Sequence, residues 1–321
     1  MALDLSNWDT TVRASVIQAF AESAIVPDES YDRRVHTNQA SLVFPKISKR
    51  FAQNKADGTI LTPNTPGADP AVSLALDQPL KLHDYLPYSA MNTQQATLEG
   101  DWAERLGRDL RRGQDNRFIA FSIQCAIGGG TTLAPDSGVF WETGVGFTTD
   151  DQKAEAAANV IRDILKKFAD NQVPDNERKY IIVTPEIFFD SLRSQMLRSR
   201  DFTQDSNNAG QLSRIQFGEA TIMRAVSIFD TDQDGTSDTE LFGAPAKYLD
   251  DYSEVSGTSE GVHGVGWAGP SSLGVGFVET LNTRVSDSPE HESVLVNARL
   301  QMGTACKQDE GFVSVVKTVN V

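Results

Sequence analysis

The stretch Ala169-Asp-Asn-Gln-Val-Pro-Asp-Asn-Glu-Arg178, followed directly by Lys179-Tyr-Ile-Ile-Val-Thr-Pro-Glu-Ile-Phe-Phe-Asp-Ser-Leu192, decides the fold of this chain. It joins the end of one helix to a tight turn, a short strand and the start of a second helix. Pro174 cannot continue the first helix, so we expect Gln172 and Val173 to lead into it in an extended conformation.

The elements on both sides of this turn follow from residue periodicity. A helix is predicted from Asp150, because apolar residues recur at helical spacing on one face: Ala154, Ala157, Ala158, Ile161, Ile164, Leu165 and Phe168. The unbroken apolar run 180–183 predicts a strand that is covered on both faces. Thr184 is a predicted N-cap, with Pro185 at the first helical position and Glu186 near the positive helix end.

Composition narrows the class of protein. The chain has 321 residues, with 44 acidic and 29 basic residues and a net charge of −15. We expect one large or two modest domains and no nucleic-acid clamp built from the whole chain. Cys125 and Cys306 are far apart and form no CxxC pattern, which argues against a disulfide framework or a zinc cluster. The opening residues lack a signal-peptide pattern, and no apolar run approaches the ~20 residues of a membrane span, so a soluble cytoplasmic product is expected.

The first third of the chain predicts an arm and a projecting loop. Residues 12–24 form an amphipathic helix with Val16, Ile17, Phe20 and Ala24 on one side, and it is too short to be stable unless it docks. A strand is predicted over 41–51, with a return through Leu74, Leu76, Leu80 and Leu82. The connection 54–70 is rich in Gly, Pro, Asn and Thr, and we expect it to project from the domain.

A second long helix is predicted over 92–124. Leu98, Trp102, Leu106 and Leu110 recur every four residues on one face. The other faces carry Arg105, Arg108, Arg111, Arg112 and Arg117. We interpret these arginines as a solvated face in preference to a DNA site.

The last third predicts strands around an acidic insertion. A strand pair is expected over 214–229 with its turn near Gly218, and the acidic insertion covers 230–264. Further strands are expected over 273–281, 294–302 and 312–316, and the second of these alternates, as a half-buried strand does.

This order of elements resembles the major capsid proteins of short-tailed double-stranded DNA phages, which have the α+β Hong Kong 97-type fold. The residues that carry the resemblance at the deciding turn are Ala169, Asn171, Val173, Pro174, Arg178, Val183, Thr184, Pro185 and Glu186. The resemblance implies an N-terminal arm (1–36) along neighbouring subunits and an extended loop (37–90). It also implies a peripheral domain (91–130 and 284–321) with a spine helix, and an axial domain (131–283) with the acidic insertion.

The resemblance implies a structural function in the virion. Copies would assemble as hexamers and pentamers into an icosahedral shell around double-stranded DNA, which is held without sequence specificity. The implied partners are other copies, a portal protein and, as an open alternative, a decoration protein. Because little chain precedes the strand at 41, we expect a separate scaffolding protein. The arm and loop have little core of their own, so we expect these apolar residues to be buried on neighbours: Phe44, Ile47, Phe51, Ile60 and Leu61.

One segment has the spacing of a calcium loop. Oxygen ligands stand at positions one, three, five and nine (Asp230, Asp232, Asp234 and Asp238), with Gly235 at position six and the backbone carbonyl of Thr236 at position seven. Position twelve is Leu241, where a closing glutamate is expected, and Glu240 stands one residue earlier. An acidic surface turn is the alternative interpretation. No cofactor is otherwise expected.

Catalytic motifs fail in this sequence. His291-Glu292 begins like a zinc-protease helix, but Leu295 stands at the second histidine position, and the glycines at 128–130 have no P-loop lysine. We therefore expect no enzyme. The alternative functions are an encapsulin-like nanocompartment shell and a calcium-binding surface or adhesion module.

Overall fold

The computed structural model describes residues 5–35, 41–44, 72–75, 79–87, 97–126, 138–144, 147–194, 214–224 and 259–320. The helices are α1 (Leu5–Glu22), α2 (Thr97–Ala126), α3 (Asp150–Asp170), α4 (Pro185–Arg193) and the single turn α5 (Gly269–Ser272). The strands are β1 (Asp32–Val35), β2 (Ser41–Phe44), β3 (Val72–Ala75), β4 (Leu80–Pro87), β5 (Gly138–Gly144), β6 (Lys179–Val183), β7 (Arg214–Phe217), β8 (Ala220–Arg224), β9 (Ser259–Ala268), β10 (Leu273–Ser288), β11 (Ser293–Cys306) and β12 (Phe312–Asn320).

The strands form two larger sheets and a hairpin. The six-stranded sheet has the order β5-β12-β9-β6-β8-β7, and the four-stranded sheet has the order β1-β10-β11-β4. The hairpin pairs β2 with β3. Both larger sheets mix parallel and antiparallel pairs, since β12 runs parallel to β5 and β1 runs parallel to β10. The class is α+β, as the sequence predicted.

Helix α3 begins and ends through local hydrogen bonds. The Thr149 hydroxyl accepts from the Gln152 N–H, and the Gln152 side chain accepts from the Thr149 N–H. At the other end, the N–H groups of Gln172 and Val173 donate to the carbonyls of Ala169 and Phe168. Gln172 has φ 57, so the prediction of an extended Gln172 was wrong. The left-handed residue satisfies the last helix carbonyls, which an extended chain would leave unpaired.

The buried strand β6 lies at the centre of the six-stranded sheet, between β9 and β8. All of its residues are buried, which confirms the prediction of a strand covered on both faces. Ile181 and Val183 face a core formed with α3 and α4, whereas Tyr180 and Ile182 face the core that α2 fills on the opposite side. Pro185 begins α4 as predicted, although the Thr184 hydroxyl makes no capping hydrogen bond.

Helix α2 packs against strands of both sheets and so joins them. The predicted apolar repeat is confirmed, because Leu106 and Leu110 are buried and Trp102 packs against the same core. The Trp102 indole N–H also donates to the Asp84 carboxylate on β4. None of the helices in the described ranges combines the length and the apolar character that a bilayer span requires.

Helix α1 packs on α2 of its own chain. Val12, Val16 and Ala19 are buried, but Ile17, which we predicted on the apolar face with Val16, is 53% exposed. The buried face of the helix therefore excludes Ile17. Gly107 makes this contact close: a Cβ there would lie 2.5 Å from the Val16 carbonyl oxygen. The described part of the predicted arm, including β1, is thus built into its own subunit.

Two predicted domain boundaries do not coincide with the sheets. The boundary between 283 and 284 falls inside β10, which pairs with β11 from Leu273 to Ser288. Strand β12, predicted for the peripheral domain, lies in the six-stranded sheet with the strands of the predicted axial domain. Strand β4, predicted within the extended loop, pairs with β11 in the four-stranded sheet.

Truncation of the two neighbouring apolar residues of α1 distinguishes its buried face from its exposed face. We expect Val16→Ala to lower the free energy of unfolding by about 2 kcal/mol, because it removes a fully buried side chain and leaves a cavity. Ile17→Ala, on the exposed face, should change it by less than about 0.5 kcal/mol. Urea unfolding of unassembled protein measures both, and equal losses would contradict the packing of α1 described here.

Candidate assembly surfaces

The predicted contact residue Phe44 lies inside its own subunit. It is 0% exposed, and its ring occupies the space that Gly274 leaves, since a Cβ at that glycine would lie 2.9 Å from the ring. The Arg34 guanidinium stands 4.7 Å from the centre of the same ring. Phe44 therefore needs no neighbour to be buried, and its assignment as an intersubunit contact is corrected. Ile47, Phe51, Ile60 and Leu61 lie outside the described residues.

The candidate calcium ligands Asp230, Asp232, Asp234, Thr236 and Asp238 also lie outside the described residues. Within the described ranges, no group of three or more His, Cys, Asp or Glu side chains is placed to hold a metal ion.

Exposed apolar side chains mark the edges of the sheets. Val35 on β1 and Tyr85 on β4, the two edge strands of the four-stranded sheet, are both 48% exposed. Phe140 on β5, an edge strand of the six-stranded sheet, is 40% exposed. An edge strand offers unpaired backbone groups, and an apolar side chain beside them favours coverage by another chain. These edges are candidate assembly surfaces.

The outward face of the four-stranded sheet carries cations in adjacent positions. Lys81 on β4 stands directly opposite Arg299 on β11, and Arg284 on β10 pairs with Asn297 next to it. Like charges on directly opposed residues destabilise a sheet.

A buried ion pair fixes the segment that leaves α1. The Arg111 Nε–H donates to Asp115 Oδ1 at 3.2 Å, and its Nη2 donates to the Val26 carbonyl at 2.7 Å and to Asp28 Oδ1 at 3.2 Å. Asp115 Oδ2 accepts from the Ile25 N–H at 2.8 Å. We name these five residues the arm clamp, because they bind the turn after α1 to α2.

Burial controls the ionisation of the arm clamp. Complete burial raises the pKa of the Asp115 carboxyl to about 6, against the opposing effects of Arg111 and the backbone N–H groups of Ile25 and Val26. Burial likewise raises the pKa of Tyr31, and the hydrogen bond that its hydroxyl donates to Asp28 at 2.8 Å adds to this. For Asp28, burial is outweighed by the hydrogen bonds from Tyr31 and Arg111, which lower the pKa of its carboxyl.

The interpretation of the five α2 arginines as a solvated face is partly wrong. Arg105 and Arg108 are exposed and pair with acidic residues one turn away, and Arg112 is exposed as well. Arg111 and Arg117 are buried. The spacing Arg111 to Asp115 was the available signal, because residues four apart on a helix contact each other.

Adjacent arginines test the arm clamp. Arg111→Ala should lower the free energy of unfolding by about 3–5 kcal/mol, because it leaves the Asp115 carboxylate buried without its cation. Arg112→Ala, at the next and exposed position, should change it by less than about 0.5 kcal/mol. Denaturant unfolding of the unassembled protein measures both, and a mild loss in Arg111→Ala would refute the clamp.

Comparison with solved structures identifies the fold. No family model and no curated protein matches the chain. Among solved structures, the capsid of cyanophage P-SCSP1u is 13% identical with a TM-score of 0.60, over 92% of this chain and 89% of that one. The mature capsid of bacteriophage PhiM1 is 11% identical with a TM-score of 0.58, over 91% and 86%. A virus-like particle from Pyrococcus furiosus is 12% identical with a TM-score of 0.52, over 96% and 99%.

These likenesses extend over almost the whole length of the chain and of the proteins compared with it. They agree with the sheets, the long helix α2 and the element order described above. The chain has the Hong Kong 97-type fold of phage capsid proteins.

Proposed function

We propose that this chain is a major capsid protein, which assembles as hexamers and pentamers into the icosahedral head shell of a phage and encloses its double-stranded DNA. The observation that carries the proposal is the fold likeness to the cyanophage P-SCSP1u capsid over 92% of the chain at a TM-score of 0.60. The role is structural and not catalytic, and its place is the virion.

The exposed apolar side chains at the sheet edges support this role. Val35, Tyr85 and Phe140 stand on edge strands, and each would lose its exposed apolar surface against a neighbour. Complete burial of such a side chain contributes roughly 1.5–3 kcal/mol, and the part still exposed here would contribute less. Because a closed shell repeats the same contact in every copy, small contributions per subunit make assembly cooperative.

The arm clamp suits a subunit that must keep its shape in several positions of a shell. Hexamers and pentamers place the same surface in different surroundings, so the surface itself has to be stiff. Arg111 and Asp115 hold the turn after α1 through hydrogen bonds to its backbone, which leaves little freedom in that turn.

A nanocompartment shell is the second candidate function. The virus-like particle from Pyrococcus furiosus has this fold at a TM-score of 0.52 over 96% of the chain. An encapsulin-like shell would contain a protein cargo where a phage head contains DNA. The content of purified particles separates the two functions.

Electron microscopy of expressed particles tests the shell. We propose a separate scaffolding protein, with a portal protein and a decoration protein as further partners. Expression with the neighbouring open reading frames should give closed shells of one size, and expression of this chain alone should give irregular or no shells. Uniform shells from this chain alone would refute the separate scaffold. A monomer under both conditions would refute the shell.

We also propose a calcium ion in the loop of Asp230, Asp232, Asp234, Thr236 and Asp238. The spacing of oxygen ligands, with Gly235 at the bend, supports it. Isothermal titration should give one calcium ion per subunit, and Asp232→Ala or Asp234→Ala should abolish the binding heat. Asp175→Ala, in an exposed turn elsewhere, should leave it unchanged. Equal heats in wild type and the two loop variants would remove the site.

A further inference from the structure

A cleft of about 400 Å³ opens where the turn after α1 meets α2 and the hairpin of β7 and β8. Among the described residues, its walls carry the cations Arg108, Arg214 and Arg224 and one carboxylate, Glu22. This cluster of positive charge contrasts with the net charge of −15 of the whole chain.

The contacts of the three arginines leave most of their donors available. Arg214 donates from Nη2 to the carbonyls of Ala24 at 2.7 Å and Ile25 at 3.2 Å. Arg108 pairs with Glu104 at 2.9 Å. Arg224 lies over the Phe189 ring at 5.2 Å. A guanidinium has five N–H donors, so each of these contacts uses a minority of them.

The cations in the cleft exceed the anions near them. Within the described part of the chain, Arg214 and Arg224 have no carboxylate in ion-pair distance, and Glu22 accepts a hydrogen bond from Gln18 at 2.8 Å. Because Arg108 is already paired with Glu104, the repulsion that remains in the isolated subunit is mainly between Arg214 and Arg224. An added anion would relieve that repulsion.

The arm clamp organises the floor of the cleft. The Ile25 N–H donates to Asp115, and the Ile25 carbonyl accepts from Arg214. The buried ion pair therefore fixes the backbone that in turn holds one of the cleft arginines. A site held in this way loses little freedom when a ligand binds.

We propose that this cleft binds a carboxylate-bearing segment of a second copy of this chain. The inference rests on the proposed function, because it assigns one of the contacts between shell subunits. Acidic residues outnumber basic residues 44 to 29, so a second copy offers mainly carboxylates. The guanidinium fork binds a carboxylate through two parallel hydrogen bonds. A recess of about 400 Å³ has room for several side chains of a peptide segment.

Peptide binding by the purified full chain tests the chemistry of the cleft. Fluorescence anisotropy with labelled hexaglutamate should show binding that weakens as salt increases. The double variant Arg108→Gln/Arg224→Gln should lose at least about tenfold in affinity. Arg105→Gln, one turn away on the same helix and also in an i,i+4 ion pair, is the matched control and should bind as wild type does. Arg214 is left unchanged because it donates hydrogen bonds to the backbone carbonyls of Ala24 and Ile25.

A parallel titration with duplex DNA distinguishes recognition of a carboxylate from recognition of a phosphate. Duplex DNA should bind equally well to wild type and to the double variant. If the double variant loses DNA binding and wild type fails to bind hexaglutamate, the cleft is a phosphate site and the proposal is overturned. Equal peptide affinities in wild type and the double variant overturn it as well.

Cross-linking tests whether the carboxylate in the cleft belongs to a second copy of the chain. In a mixture of isotopically light and heavy Arg224→Lys protein, a carbodiimide should couple the new amine to a carboxylate of another copy, and mass spectrometry should detect the mixed-isotope peptide pair. Arg105→Lys should give no such pair. Absence of mixed pairs in Arg224→Lys overturns the assignment to a second copy. Peptide binding by the cleft does not require a shell. The peptide experiment can therefore succeed or fail separately from the proposed function, which microscopy tests.

Discussion

The ion pair of Arg111 with Asp115 is the constraint on which the N-terminal part of the structure depends. A charge with 0% exposed surface is costly unless its partners are fixed, and here the partners include the backbone of the turn at Ile25 and Val26. The N-terminal segment must therefore lie on α2 of its own chain. From that turn the chain continues into β1, whose parallel pairing with β10 completes the four-stranded sheet.

Helix α2 transmits this constraint to the rest of the subunit. Its buried apolar side chains contact strands of both sheets, and Gly107 lets α1 approach it without a side chain between them. The result is a subunit in which α1, α2 and both sheets share one apolar core, with exposed apolar groups at the sheet edges. In the proposed shell, contacts at these edges would order little of the subunit, so most of their free energy would go to association.

Local patterns predicted the elements well and the long-range assignments less well. The face of α3, the doubly covered β6 and the start of α4 depend on spacing within a few residues, and the sequence was sufficient there. The burial of Phe44 depends on Gly274, which is 230 positions away, and the burial of Arg111 depends on the turn at Val26, which is 85 positions earlier. Such pairings leave no periodic signal. The prediction for Gln172 was wrong for another reason. This residue adopts a positive φ, which side chains other than glycine rarely do.

Strand β12 has a consequence for synthesis of the protein. It lies between β5 and β9, and it is the only strand with which β5 is paired in the described part of the chain. The six-stranded sheet therefore stays incomplete until residues 312–320 have left the ribosome. A nascent chain that still lacks these residues leaves β5 without its strand partner among the described residues. In the proposed shell, the order of translation would thus keep subunits with an incomplete sheet out of assembly.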